Sequence, residues 1–445
     1  MQDLLITLVS VAFVLGIMII VHEFGHFAAA KLFGVRVETF SVGFGKRLLG
    51  FRRGDTDYRL SLIPLGGYVK MSGENILEQR TGADYEFMSH PRWQRFVIAA
   101  AGPFMNIVLA IVLLTAVFMI RYEHPMYLDH PAVIGWVLPG SPADKAGIQP
   151  GDRITQIAGI TNPTWEDVEP NTMMSANQPM QVDIDRNGQA LHKTVTPALT
   201  GPEQIGDPGW APDQPNIVTE IEPTMPAATA GLKVGDNIVA VNGQPTRSTG
   251  AMIRILQDNK DKPVQLSVLR DNKSLDLTVT PKLMKGENGA ADAYRIGIHS
   301  NPVEIEKLPF DKAVVKSIEQ NAKNSMLVFD LVGKMIQRKA SIKNVSGPIE
   351  IARASGAAAQ QPGWTPLMYL MAMVSLQLGL FNLFPFPILD GGMILMLAIE
   401  GLRRRDISLA VKERVYQVAF VLLVVFAVLV IFNDITKLPA FNHLP

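Results

Sequence analysis

Four stretches of this chain are free of Asp, Glu, Lys and Arg and long enough to cross a lipid bilayer: Leu4–Val21, Phe96–Ile120, Pro366–Leu389 and Val415–Phe432. A spanning helix needs about 20 apolar residues at about 1.5 Å of rise each. Pro385 and Pro387 should end the third as regular helix before its apolar run is over. The first does not read as a cleaved signal, although Ala28-Ala29-Ala30 resembles a cleavage site. No Lys or Arg precedes Lys31, so the positive leading region is missing.

Orientation follows from the basic residues near the span ends. Eleven Lys and Arg, from Lys31 to Arg95, separate the first two stretches, and Arg403, Arg404, Arg405, Lys412 and Arg414 separate the last two. Outside these loops only Arg121, Arg353 and Lys437 lie near a span. Both loops should therefore be cytoplasmic, with the termini and residues 121–365 on the outer side. Over the whole chain 41 Lys and Arg balance 41 Asp and Glu, which argues against a nucleic-acid partner. With no Cys, disulfides, iron–sulfur clusters and thiol nucleophiles are excluded.

The outer segment repeats itself. Pro139-Gly-Ser-Pro142-Ala-Asp-Lys-Ala-Gly147-Ile-Gln-Pro-Gly151-Asp152-Arg-Ile154 aligns without gaps on Pro223-Thr-Met-Pro226-Ala-Ala-Thr-Ala-Gly231-Leu-Lys-Val-Gly235-Asp236-Asn-Ile238. Each copy predicts a short helix opened by Pro-Ala, a left-handed glycine cap and a Gly-Asp turn into a strand. The pattern resembles PDZ domains of bacterial proteases, with copies expected at 131–200 and 213–300. By that likeness, peptide-accepting strand edges would lie near Val133–Val137 and Asn216–Ile221. The Gly- and Pro-rich Thr200–Pro215 reads as a linker. Apolar periodicity over Asp311–Arg338 predicts an amphipathic helix on the outer leaflet or against the membrane core.

Chemistry is concentrated at the inner ends of the spans. His22-Glu23-Phe24-Gly25-His26 continues the first apolar run, and residues four apart share a helix face. His22 and His26 can hold one zinc ion while Glu23 serves as general base, the arrangement of H-E-x-x-H hydrolases. From Leu4 to His22 the rise is about 27 Å, near the cytoplasmic face of a core about 30 Å thick. Ionisable side chains at that depth are functional by default. A third ligand is needed, and no suitably placed His supplies it; Asp390, in Leu389-Asp390-Gly391-Gly392, is at the same expected depth.

These motifs, with Asn382-Leu-Phe-Pro385-Phe-Pro387-Ile-Leu-Asp390-Gly391, resemble the H-E-x-x-H and N-x-x-P-x-x-x-L-D-G signatures of the site-2 protease family. Gly43-Phe44-Gly45, Gly66-Gly67-Tyr68-Val69-Lys70-Met71, Gly102-Pro103-Phe104-Met105-Asn106 and Ser346-Gly347-Pro348-Ile349 also match, with Glu350 where the family commonly has glycine. The resemblance implies a polytopic α-helical membrane protein with four transmembrane helices and two inserted PDZ-like α+β domains. Its expected parts are 1–30, the first transmembrane helix; 31–95, a cytoplasmic loop with a membrane-inserted β-loop; 96–120, the second helix; and the two PDZ-like domains. After these come 301–365, a periplasmic helical region; 366–389, the third segment; 390–414, a cytoplasmic loop; and 415–432, the fourth helix.

For the site, the likeness implies zinc on His22, His26 and Asp390, with Glu23 catalytic. Asn382 would hydrogen-bond the substrate, Pro387 would shape the adjoining loop, and Gly67, Tyr68 and Val69 would pair with an unwound substrate by strand addition. The implied activity is intramembrane cleavage of single-span proteins, such as a trimmed anti-sigma factor or remnant signal peptides. The implied setting is a Gram-negative inner membrane, in contact with lipid, with the PDZ-like pair acting as a size filter; a monomer is the expectation, though the sequence leaves the oligomeric state open. Readings from other classes are a PDZ-containing membrane adaptor with a structural zinc and a metal transporter.

Overall fold

The computed structural model describes residues 2–74, 81–128, 130–200, 204–285, 292–300, 303–337 and 347–436. Arg80, Arg338, Ser346 and Lys437 lie outside the described residues. The helices are α1 Gln2–Leu32, α2 Arg92–Arg121, α3 Pro142–Lys145, α4 Trp165–Met173, α5 Pro226–Thr229, α6 Thr249–Asn259, α7 Phe310–Ile336, α8 Pro348–Gln360, α9 Thr365–Asn382, α10 Asp390–Arg403 and α11 Leu409–Thr436. Two compact units emerge. One comprises Met1–Arg121, Lys307–Asp330 and Ser346–Ile435, the other Tyr122–Glu306, Leu331–Val345 and Thr436–Pro445.

Helices α1, α2, α9 and α11 are long and apolar enough to cross a membrane. The third is shorter than its apolar run, as the prolines require: α9 stops at Asn382 and α10 begins at Asp390. Val14 and Met18 of α1, Ala358 of α8, and Leu367 and Met371 of α9 form one core, with Leu109 and Leu113 of α2 against it. Lipid is as apolar as leucine, so close approach of small residues has to supply much of the cohesion. Accordingly, a Cβ on Gly25 would lie 2.3 Å from the Ala101 carbonyl oxygen, and one on Gly379 2.8 Å from that of Pro103.

The amphipathic helix lies against the bundle. Ser317 Oγ is 2.9 Å from Thr115 Oγ1 of α2, Val328 packs on Ala110, Leu376 and Leu380, and the Phe329 ring is 6.0 Å from Phe384. At the far end of α11, Asp434 accepts hydrogen bonds from the N–H groups of Gly347 (2.9 Å), Ile349 (3.0 Å) and Glu350 (3.2 Å), which start α8. A buried carboxylate thus satisfies donors that a helix leaves open at its first turn.

In the second unit the repeat is structural. Arg153–Ile157, Met180–Arg186 and Gln189–Val195 form a sheet with Ile160–Thr161 at its edge. Asn237–Val241, Val264–Arg270, Lys273–Val279 and Gln244–Pro245 repeat that strand order. Each copy has its own core, around Ile134, Ile154, Trp165 and Ile184 or around Ile238, Val264, Leu266 and Val268. Full burial of side chains this size stabilises by about 1.5–3 kcal/mol each. The Gly-Asp turn is clamped identically in both. Arg186 grips Asp152 at 2.6 and 2.7 Å and donates to the Gly147 carbonyl; Arg270 does the same to Asp236, at 2.7 Å twice, and to Gly231.

Two sequence readings of this unit change. Residues around Val133–Val137 are bonded on both sides: Ile134 N–H donates to Asp152, and Val137 pairs with Trp210. Asn216–Ile221 is likewise held between Asp236 (Val218 N–H, 2.7 Å) and the Ile298–His299 strand. Neither expected edge is free, because the segment closing each sheet lies elsewhere in the sequence. The Gly- and Pro-rich linker is partly sheet, with Ile205–Asp207 on Ala198–Thr200 and Trp210–Pro212 on Ile134–Val137. Gly206 there serves packing; a Cβ on it would sit 2.4 Å from the Thr172 carbonyl oxygen.

Candidate metal centre

His22 and His26 are both buried on one face of α1, with their Nε2 atoms 3.2 Å apart. Asp390, the first residue of α10, brings Oδ2 to 3.1 Å from His22 Nε2 and Oδ1 to 3.5 Å from His26 Nε2. These three form a group able to hold a metal ion. Tetrahedral zinc with bonds of about 2.0–2.1 Å spaces its ligand atoms about 3.3 Å apart. The donor set and its spacing both fit zinc.

Local sequence explains why the three converge. A Cβ on Gly102 of α2 would lie 2.2 Å from His26 Nε2, so only glycine leaves the ring its place. His26 Nδ1 is 2.8 Å from the Ile98 carbonyl, which can only accept; Nδ1 therefore carries the proton and Nε2 is left bare. After α9 the chain turns back through Pro385 and Pro387, and α10 starts tight against that turn. Cβ atoms on Gly391 and Gly392 would meet the Leu383 carbonyl oxygen at 2.3 Å and the Phe386 carbonyl oxygen at 2.2 Å. That close return carries Asp390 back to α1.

Glu23 faces a strand edge. Strands β1 (Val37–Arg53) and β2 (Thr56–Met71) bend so that Thr39–Val42 lies between Gly67–Lys70 and Asp57–Leu60. Gly67–Met71 is thus an outer segment, and its Val69 N–H donates to Glu23 Oε2 at 3.0 Å. The two-residue strand repeat points the Gly67 N–H to the same edge. A Cβ on Gly67 would stand 3.5 Å from Glu23 Cγ. Beyond the strand, burial holds the Glu74 carboxyl above the usual carboxylate range, although the Met71 N–H donates to it.

Of the residues singled out from the sequence, His22, Glu23, His26, Gly67, Val69 and Asp390 come together here. Tyr68 alternates to the opposite face and stacks on Phe44, ring centroids 6.1 Å apart. Asn382 ends α9, and Pro387 lies under Gly392, so both belong to the turn that delivers Asp390. Asn106 enters the sequence reading only as the end of the family-like Gly102–Asn106 stretch, with no role attached. It is fully buried in α2, and its Nδ2 is 3.2 Å from His22 Nδ1. A polar amide in the middle of an apolar span was the available signal.

Comparison with known proteins gives the chain's family. A regulator of sigma E protease from Salmonella typhi is 35% identical over 464 residues, covering 98% of this chain and all of that one. Regulator of sigma-E protease RseP from Escherichia coli is 34% identical over 468 residues, again with 98% and 100% coverage. A putative zinc metalloprotease from Vibrio cholerae is 32% identical over 465 residues, with the same coverage. Among solved structures, a PDZ domain of an SdrC-like protein from Listeria monocytogenes is 21% identical, covering 20% of this chain and 90% of that one, with a TM-score of 0.18. The model of peptidase family M50 matches residues 10–426, and the chain belongs to that family.

Proposed function

We propose that this chain is an intramembrane zinc metalloprotease that cuts the transmembrane segment of single-span proteins. The observation that carries this reading is the convergence of His22, His26 and Asp390 at zinc-like spacing beside Glu23 and a strand edge. When bound there, zinc supplies Lewis-acid polarisation of water and of the peptide carbonyl. Glu23 accepts a proton from the attacking water and returns it to the leaving amine nitrogen. His26 is held in one tautomer by Ile98, and Asp390 adds a negative charge that favours a cation.

A substrate helix ties up its own carbonyls, so it must unwind before it can be cut. The N–H groups of Gly67 and Val69 offer the unwound segment a strand to join. Val69 then exchanges its bond to Glu23 for one to substrate, which frees the carboxylate to work as a base. Asn382 and Pro387, in the turn before Asp390, would line the other side. An adaptor with a structural zinc would need a fourth protein ligand, and the group found among the described residues has three.

The names of the relatives support a place in sigma-E regulation, with an anti-sigma factor, already cut on its outer side, as substrate and signal-peptide remnants as others. Charge asymmetry supports an inner-membrane location with the repeat domains in the periplasm, where they would exclude uncut substrates. The decisive experiment is cleavage of a purified single-span peptide in detergent. It should require zinc, stop with a chelator and stop with Glu23→Gln while zinc stays bound. Cleavage by the Glu23→Gln variant would refute the assigned base.

A further inference from the structure

The two histidines of the site are held by different partners. His26 Nδ1 faces a backbone carbonyl, which accepts and never donates. His22 Nδ1 faces a side-chain amide, that of Asn106, at 3.2 Å. As oriented, the amide presents Nδ2 to His22, and its own Oδ1 is buried without a hydrogen-bond partner. This orientation matches a ring whose proton is on Nε2, pointing at Asp390 Oδ2, 3.1 Å away. A cation changes the requirement. If Nε2 gives its lone pair to a metal, the neutral ring must carry its proton on Nδ1, and that N–H needs an acceptor. Turning the amide by half a revolution exchanges Nδ2 for Oδ1 and supplies one.

We propose that Asn106 is a positioning residue whose amide follows the tautomer of His22, accepting from Nδ1–H when Nε2 is on the cation. Its backbone is anchored beside the ring, since the Asn106 carbonyl accepts from Ser375 Oγ of α9 at 2.8 Å and the residue is fully buried. A carbonyl at this place would serve only one tautomer, and a hydrocarbon neither. A buried imidazole N–H without an acceptor forfeits its hydration with nothing in return, so the metal-ready ring would be disfavoured. This inference rests on the assignment of His22 as a zinc ligand.

The test is zinc affinity of the full-length protein in detergent, by competition with a chromogenic chelator, for wild type, Asn106→Leu, Asn106→Asp and His22→Ala. Asn106→Leu, close in volume but with no acceptor, should bind zinc about 10–100-fold more weakly. Asn106→Asp keeps an acceptor and should bind at least as tightly as wild type, since a carboxylate raises the basicity of the ring. Unchanged affinity in Asn106→Leu overturns the proposal, as does equal weakening in both variants, which would mark a packing role. If Asn106→Leu does not fold, Asn106→Asp decides: a folded Asp variant with about tenfold weaker zinc binding overturns it. Full zinc binding by His22→Ala would instead remove His22 from the ligand set, whatever Asn106 does.

Discussion

Replacing Gly102 by Ala adds one methyl group and should empty the metal centre. The new Cβ would lie 2.2 Å from His26 Nε2, where ordinary contacts begin at 3.4 Å, so the ring must retreat by about 1.2 Å. It cannot rotate away cheaply, because its other nitrogen is bound to Ile98 and the opposing contact is the backbone of α2. Metal sites tolerate ligand displacements of about 0.2 Å, and a misplacement of 1 Å at a reacting centre costs about 100-fold. Helix α2 itself should not suffer, since Ala is a better helix former than Gly by about 1 kcal/mol. The expected result is at least about a 100-fold fall in cleavage of a single-span substrate, with weakened zinc in chelator competition and an unchanged elution profile. Gly16→Ala on α1, with nothing within 4 Å of the added carbon, is the matched control and should behave as wild type. A Gly102→Ala enzyme that keeps its zinc and its rate would show that the His26 ring is not held where the structure puts it.

Other outcomes follow from the same contacts. Asp390→Asn weakens one ligand and should lower the zinc content of purified protein; full occupancy would exclude Asp390 as a ligand. Val69→Pro deletes the N–H that faces Glu23 and should cut cleavage about tenfold or more while zinc affinity holds. Undiminished cleavage would refute strand addition at that edge. The second repeat domain should weaken in acid. Its Asp236 is held below the usual Asp value by hydrogen bonds from Arg270, so the stabilisation is complete above about pH 4 and fades as pH falls through the lowered value. Hydrogen exchange in Val264–Arg270, corrected for its intrinsic pH dependence, should rise over that window, and flat protection would refute the clamp.

The candidate metal cluster is legible because its parts announce themselves locally. His22 and His26 are four apart on a helix, and Asp390 follows a run of prolines at matching depth. The four long apolar helices are legible for the same reason, since few water-soluble folds leave about 20 successive residues without a charge. What stayed hidden depends on distance in space. Gly102 and Asn106 belong to a stretch that resembles the family, but nothing local names what they touch, and that appears only once α1 lies across α2. The strand edges of the repeat domains are not legible because the segments that close those sheets, Trp210–Pro212 in the expected linker and Ile298–His299 far along the second copy, are remote in sequence from the strands they join. Position alone groups Tyr68 with its neighbours, whereas strand alternation turns it to the other face, against Phe44.

Helix α11 shows an uneven distribution of holding points. Its middle presents mostly bare aliphatic side chains, while its two rims are riveted by charge. At one rim Lys412 meets Glu400 of α10 at 2.7 Å, both buried; at the other Asp434 anchors the start of α8. Such a stave owes its place to its ends. Exchanging one greasy residue for another along its length should matter little, whereas losing a single carboxylate at either end would leave a whole apolar helix loose against its neighbours.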